Sequence, residues 1–150
     1  MAITITGGAT LTGGANMGTG GAPSPTPGGG GFQGTISGYA SGGYTTATSS
    51  RINNIQKYSF TSDGNSSDIG DLTLARSSLS GQSSSVSGYT SSGYSDLAQP
   101  RSNIIDKFSF ANEGNATDVG DMTIAAGWTS GQSSSNHGYI SGGNTGTGKI

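Results

Sequence analysis

The run Gly143-Asn144-Thr145-Gly146-Thr147-Gly148-Lys149 opens like a phosphate-binding P-loop. That chemistry needs a preceding strand, a following helix whose amides face the phosphate, and a Ser or Thr for magnesium. Ile150 follows instead, so the run reads as a Gly/Thr-rich tail. A second candidate is acidic: Asp63, Asn65, Asp68 and Asp71 recur as Glu113, Asn115, Asp118 and Asp121. Oxygen donors at this density make weak calcium candidates, since the ion takes about six to eight oxygens. Their spacing is not that of the helix-flanked calcium loop, and Asp63-Gly64-Asn65 suits a tight hairpin turn by itself. The glycosylation-like Asn65-Ser66-Ser67 and Asn115-Ala116-Thr117 fall at the same turns, where Asn is favoured anyway. His137 is the single histidine and has no counterpart elsewhere in the chain. The many serines therefore lack the base and orienting third group that a nucleophile requires. Carboxylate pairs such as Asp68 and Asp71 suit glycoside hydrolysis, but their copies would make two equivalent sites, which points to structure. With no cysteine, disulfides, thiolate zinc sites and cysteine nucleophiles are excluded. The chain reads as no enzyme, with no cofactor and no resident metal.

Aromatic side chains are the better binding candidates. Tyr39, Tyr89 and Tyr139 each follow a glycine and are expected to fill the packed face of a strand. Tyr44, Tyr94 and Trp128 are the candidate contact rings, able to stack on sugars or anchor a protein partner. Trp128 stands where the first copy of the pattern has Ser78, so the pattern itself does not require it.

That pattern organises the chain. Residues 36–85 are followed by a second copy without insertion or deletion, and about half the positions match. Ile55-Gln56-Lys57-Tyr58-Ser59-Phe60 returns as Ile105-Asp106-Lys107-Phe108-Ser109-Phe110, and Gly81-Gln82-Ser83-Ser84-Ser85 as Gly131-Gln132-Ser133-Ser134-Ser135. A third copy opens at Gly138-Tyr139-Ile140-Ser141-Gly142-Gly143. A fixed period near this length marks repeat architectures, in which each unit is one small sheet. Only 29% of the 150 residues are hydrophobic, the formal charge is −2, and 29 residues are glycine. A core this poor makes the isolated chain marginal, and support from neighbouring subunits is expected. Six scattered basic residues make no nucleic-acid footprint. No apolar run approaches the roughly 20 residues needed to span a bilayer. The N-terminus has neither a basic patch nor an apolar stretch, so no secretory signal is expected.

The elements that must position these side chains are strands, because nothing has helical apolar spacing and glycine is too frequent. Each repeat predicts four: near 36–41 ending at Gly42-Gly43, 54–60, 68–74, and 80–86. The expected organisation is an arm and linker over 1–34, β repeats over 35–85 and 86–135, and a partial third repeat and tail over 136–150. In the arm, Ala2-Ile3-Thr4-Ile5-Thr6 alternates as a half-buried strand does, ahead of a Pro/Gly linker. Ile3 and Ile5 are the residues expected to anchor it to other subunits.

Gly42-Gly43-Tyr44, then the aromatic strand at Tyr58 and Phe60, then Leu72-Thr73-Leu74-Ala75-Arg76, is similar to the kelch motif. In the second repeat Ser92 replaces the first glycine and Ala126 the arginine, and the usual tryptophan after the aromatic strand is missing from both. The resemblance implies an all-β chain of two four-stranded propeller-blade repeats plus a partial third. Two repeats cannot close a propeller, which takes about four to eight blades. Oligomerisation must therefore complete it, a trimer giving six blades, with Gly138 to Asn144 free to complete a neighbour's blade. The texture of Gly-Tyr-x-Ser-Gly-Gly-Tyr and Gly-Gln-Ser-Ser-Ser also resembles repeats in tailed-bacteriophage virion and fibre proteins. That likeness implies a virion location: a homo-oligomeric module decorating the capsid or forming part of a tail fibre. A glycan-binding adhesin for host attachment is the alternative.

Overall fold

Strands built from small residues leave room for an aromatic ring to lie across a neighbour, and this chain repeats that device. The computed structural model describes residues 36–97 and 100–146. The N-terminal arm, with Ile3 and Ile5, lies outside the described residues, as does Lys149. Nine antiparallel strands form three sheets, with no helix among the described residues. The first sheet is β1 (Ser37–Thr45), β2 (Ser50–Ser59) and β3 (Ser67–Asp71). The second is β4 (Ser80–Ser83), β5 (Ser87–Ser91), β6 (Ser102–Ser109) and β7 (Thr117–Ala126); the third is β8 (Ser130–Ser133) with β9 (Gly138–Ser141). Gly38 pairs with Tyr58 and Gly88 with Phe108. A Cβ on either glycine would overlap the facing ring, which is why these two Gly-Tyr pairs must begin with glycine. The ladder shifts between Ile55 and Gln56 and again between Ile105 and Asp106, so the bulge repeats with the sequence.

The sheets cut the period at a different phase from the repeats expected above. Strand β4 lies in the first sequence repeat but opens the second sheet, pairing with β5. The turn explains this: Ser84 N–H donates to Ser87 O at 2.9 Å, and Ser84 Oγ accepts from Ser87 N–H at 3.1 Å. Ser134 and His137 repeat both bonds between β8 and β9. Gly-Gln-Ser-Ser-Ser is thus a strand running into a serine-closed hairpin, a local connection that outcompetes pairing back to β3. Sheets of three, four and two strands result, in place of two four-stranded repeats. They do not close into a ring. In the segment expected to complete a neighbour's sheet, Gly138–Ser141 pairs with β8 and Asn144 bridges Gly127 of its own chain. Gly42-Gly43 does not end β1, which continues through an irregularity to Thr45. Asp63-Gly64 lies in the longer connection between β2 and β3 and not in a two-residue hairpin.

The first sheet packs on the second, and the second on the third. Residues 49 or 50 positions apart meet across each junction. Ser41 Oγ and Thr90 Oγ1 are 2.7 Å apart, Thr129 Oγ1 donates to Ser80 Oγ at 3.0 Å, and Ser83 N–H donates to Ser133 Oγ at 2.9 Å. Trp128 N–H reaches Ser78 O at 3.0 Å. Between the first two sheets, Ile55 and Leu72 face Phe108 and Ala116, all buried, while Tyr39 stacks on Phe110 with ring centres 4.8 Å apart. Buried Ser80, Gln82, Thr90, Ser91, Ser92 and Ser102 extend this thin core. The apolar fraction is low because small hydrogen-bonded side chains fill space that aliphatic ones usually occupy.

Candidate functional site

Trp128 has a left-handed backbone, φ 56°, as does its counterpart Ser78. The conformation is fixed from two sides: Gly127 exchanges hydrogen bonds with Asn144 at 3.1 and 2.8 Å, and Trp128 N–H bonds Ser78 O. Held so, the indole leans on Tyr94, centroids 5.0 Å apart, and remains 65% exposed. Tyr94 is itself clamped. Its main chain exchanges hydrogen bonds with Ser77 at 2.8 and 2.9 Å, and the Arg101 guanidinium lies 5.2 Å from its ring centre. Gly127 abuts the ring so closely that a Cβ there would overlap it. Arg101 also reaches Asn144 Oδ1 at 3.5 Å. An exposed indole beside a cation and an amide is an arrangement that can stack on a flat apolar face and hydrogen-bond its polar rim.

Of the three expected contact rings, the structure therefore brings Tyr94 and Trp128 together. Tyr44 is exposed but lies on the first sheet opposite Arg51, and at its repeat's counterpart of Trp128 stands Ser78. Tyr39 packs against the core, whereas Tyr139 is 54% exposed.

The acidic residues serve turns and sheet junctions. Asp68 Oδ1 accepts from Gly70 N–H at 3.2 Å, Asp118 Oδ1 from Gly120 N–H at 3.0 Å, and Asn54 donates to Asp68. Asn115 Oδ1 accepts from Asp71 N–H at 3.0 Å across the first junction. Lys57 meets Glu113 at 2.9 Å at the same junction. Hydrogen bonding to Glu113, with its charge, holds Lys57 above its ordinary 10.5. The stabilisation from that shift is present at neutral pH and is lost as pH rises through the raised value. Asp63, Asn65 and Asp121 do not join a metal cage: among the described residues, no three His, Cys, Asp or Glu side chains gather as one. Asn144 of the P-loop-like run bridges Gly127, in an extended setting with no helix among the described residues.

Sequence reasoning missed the buried ion pair of Arg76 and Asp106. Arg76 Nη2 donates to Asp106 Oδ2 at 2.6 Å, both side chains fully buried. Arg76 Nη1 also donates to Ser92 O, Ser102 Oγ and Ile104 O at 2.9, 3.2 and 3.1 Å. Thr73 Oγ1 donates to Asp106 Oδ1 at 2.6 Å. Burial lowers the Arg76 pKa, and the Asp106 charge opposes that shift. A signal was present: the counterparts of this pair are Ala126 and Gln56, so the repeat departs from itself in charge at two positions that prove to touch.

These sites belong to an all-β chain of stacked antiparallel sheets. No protein-family model and no curated protein matches it.

Proposed function

We propose that the chain is a non-enzymatic structural protein of a tailed-bacteriophage virion, an assembling β-repeat module that decorates the head or forms part of a tail fibre. Its sheets are kelch-like, propeller-type blades, some of them incomplete, and a homo-oligomer, most simply a trimer, completes the array. The arm carrying Ile3 and Ile5 docks on other capsid or tail subunits. The observation behind this reading is that residues 49 or 50 positions apart, counterparts or their immediate neighbours, bond to each other from sheet to sheet. Each sheet is thereby a template for the next, and such arrays extend by adding units. The viral part rests on the resemblance of the repeat motifs. Mass spectrometry of purified particles whose genome encodes this sequence should find it in many copies per particle; its absence from them would sink the reading.

One observation favours a second reading, a carbohydrate-binding adhesin: the exposed Trp128 ring beside Tyr94, Arg101 and Asn144. A true contact ring would lose about 1–3 kcal/mol of binding on truncation, the scale of burying one large side chain. On the structural reading no glycan on an array binds tightly, and Trp128→Ala leaves assembly intact. Tight glycan binding that Trp128→Ala abolishes would put the adhesin first.

A further inference from the structure

The last sheet has only two strands, and among the described residues β9 is paired on one edge alone. Beside that edge runs a groove of about 210 Å³ lined by Gln82, Tyr89, Ser91, Ile105, His137 and Ile140. One repeat earlier, the corresponding place is filled. Ile55, the counterpart of Ile105, is fully buried, and Tyr39, the counterpart of Tyr89, is covered by Phe108 and Phe110 of β6 and its end. Over Tyr89 lies the Lys107 ammonium, 5.8 Å from the ring centre, in place of packed aromatic rings, and Ile105 is only half-buried. The site therefore wants a short strand, hydrogen-bonded to β9 and apolar on the side facing the groove.

Outside the described residues the sequence holds a stretch with that alternation. Ala2-Ile3-Thr4-Ile5-Thr6 places Ile3 and Ile5 on one side and threonines on the other, and its length suits the four residues of β9. We infer that the N-terminal strand of one copy adds to the free edge of β9 in another, with Ile3 and Ile5 against Ile105, Ile140 and Tyr89. The inference rests on the assembling reading above and names the receptor for the arm. Strand addition supplies main-chain bonds along the open edge, while the groove selects the alternate side chains. Order along the stack favours a neighbour as donor. The arm precedes the first sheet and the groove lies at the last, so a head-to-tail neighbour needs its arm to drop back by one sheet spacing, about 10 Å. A Gly-rich stretch of the length between arm and β1 has a root-mean-square reach of about 30 Å, enough for that step.

The absence of native cysteine makes the test direct. Full-length Ile5→Cys and Ile140→Cys variants are mixed and treated with a short bismaleimide. The expected result is a covalent dimer containing both variants, and a ladder of higher multiples from the double variant. Tyr89→Cys on the opposite wall of the groove repeats the test should Ile140→Cys not fold. Three results overturn the inference: no link; a double variant linked only within single chains, the arm then capping its own sheet; or equal linking to Thr46→Cys in the turn between β1 and β2. Sedimentation of the untreated variants separates the two levels. Multimers without the Ile5–Ile140 link remove the groove as the arm's receptor and leave assembly standing, whereas monomers at every concentration remove both.

Discussion

Arg76 and Asp106 show how a chain with little apolar material specifies one junction. Taking a charged pair out of water is costly, and good geometry with further hydrogen bonds must offset that cost. Here Ser92, Ser102, Ile104 and Thr73 supply the further bonds, though Arg76 Nε has no hydrogen-bond partner. Arg76→Met alone strands a buried carboxylate and should lower stability by about 3–5 kcal/mol in urea unfolding. Arg76→Met with Asp106→Leu should recover much of that loss. A double variant as weak as the single would show that the pair itself stabilises the junction. From sequence Arg76 stood out only as the arginine of the kelch-like segment, and its pairing with Asp106 did not, because a charge matters here only once the fold has set it opposite its partner. Trp128 was easier to notice: a tryptophan in place of serine stood out, although its contact with Tyr94 did not follow from spacing.

Strands β1 and β5 depend on glycine for a steric reason. In the ladder Gly88 faces Phe108, whose ring occupies the space a methyl group would need. Gly88→Ala should cost about 1–3 kcal/mol, the usual range for overpacking. Gly81→Ala, where nothing lies within 4 Å of the added atom, should stay within about 0.5 kcal/mol. Equal losses at the two positions would mean that glycine is required in these strands for reasons other than ring packing. At this scale the sequence was legible in kind and approximate place: alternation and turn residues located all four strands of a repeat. The phase of the sheets was not legible, because a period has no natural origin. What decides it is the Ser84–Ser87 turn closing β4 onto β5, and serine runs carry a weaker turn signal than Asn-Gly or Asp-Gly.

For the molecule as a whole, sheets joined at or next to counterpart positions form an array with unlike ends: Tyr58 is exposed on the first sheet and Tyr139 on the last. Unlike ends make heterologous contacts, which close into rings when the rotation per unit permits and otherwise run on as filaments. The all-β class was legible from composition and period, whereas the two four-stranded repeats implied by the kelch resemblance were not found, the sheets having three, four and two strands. Which surfaces stay open depends on junction partners that no local pattern reveals. The central claim is that this chain works by assembling, and its mass in solution tests that most directly. Light scattering on the purified full-length chain across a range of concentrations should give a multiple of 14.7 kDa, most simply three; a steady single-chain mass up to the highest concentration reached would contradict the account.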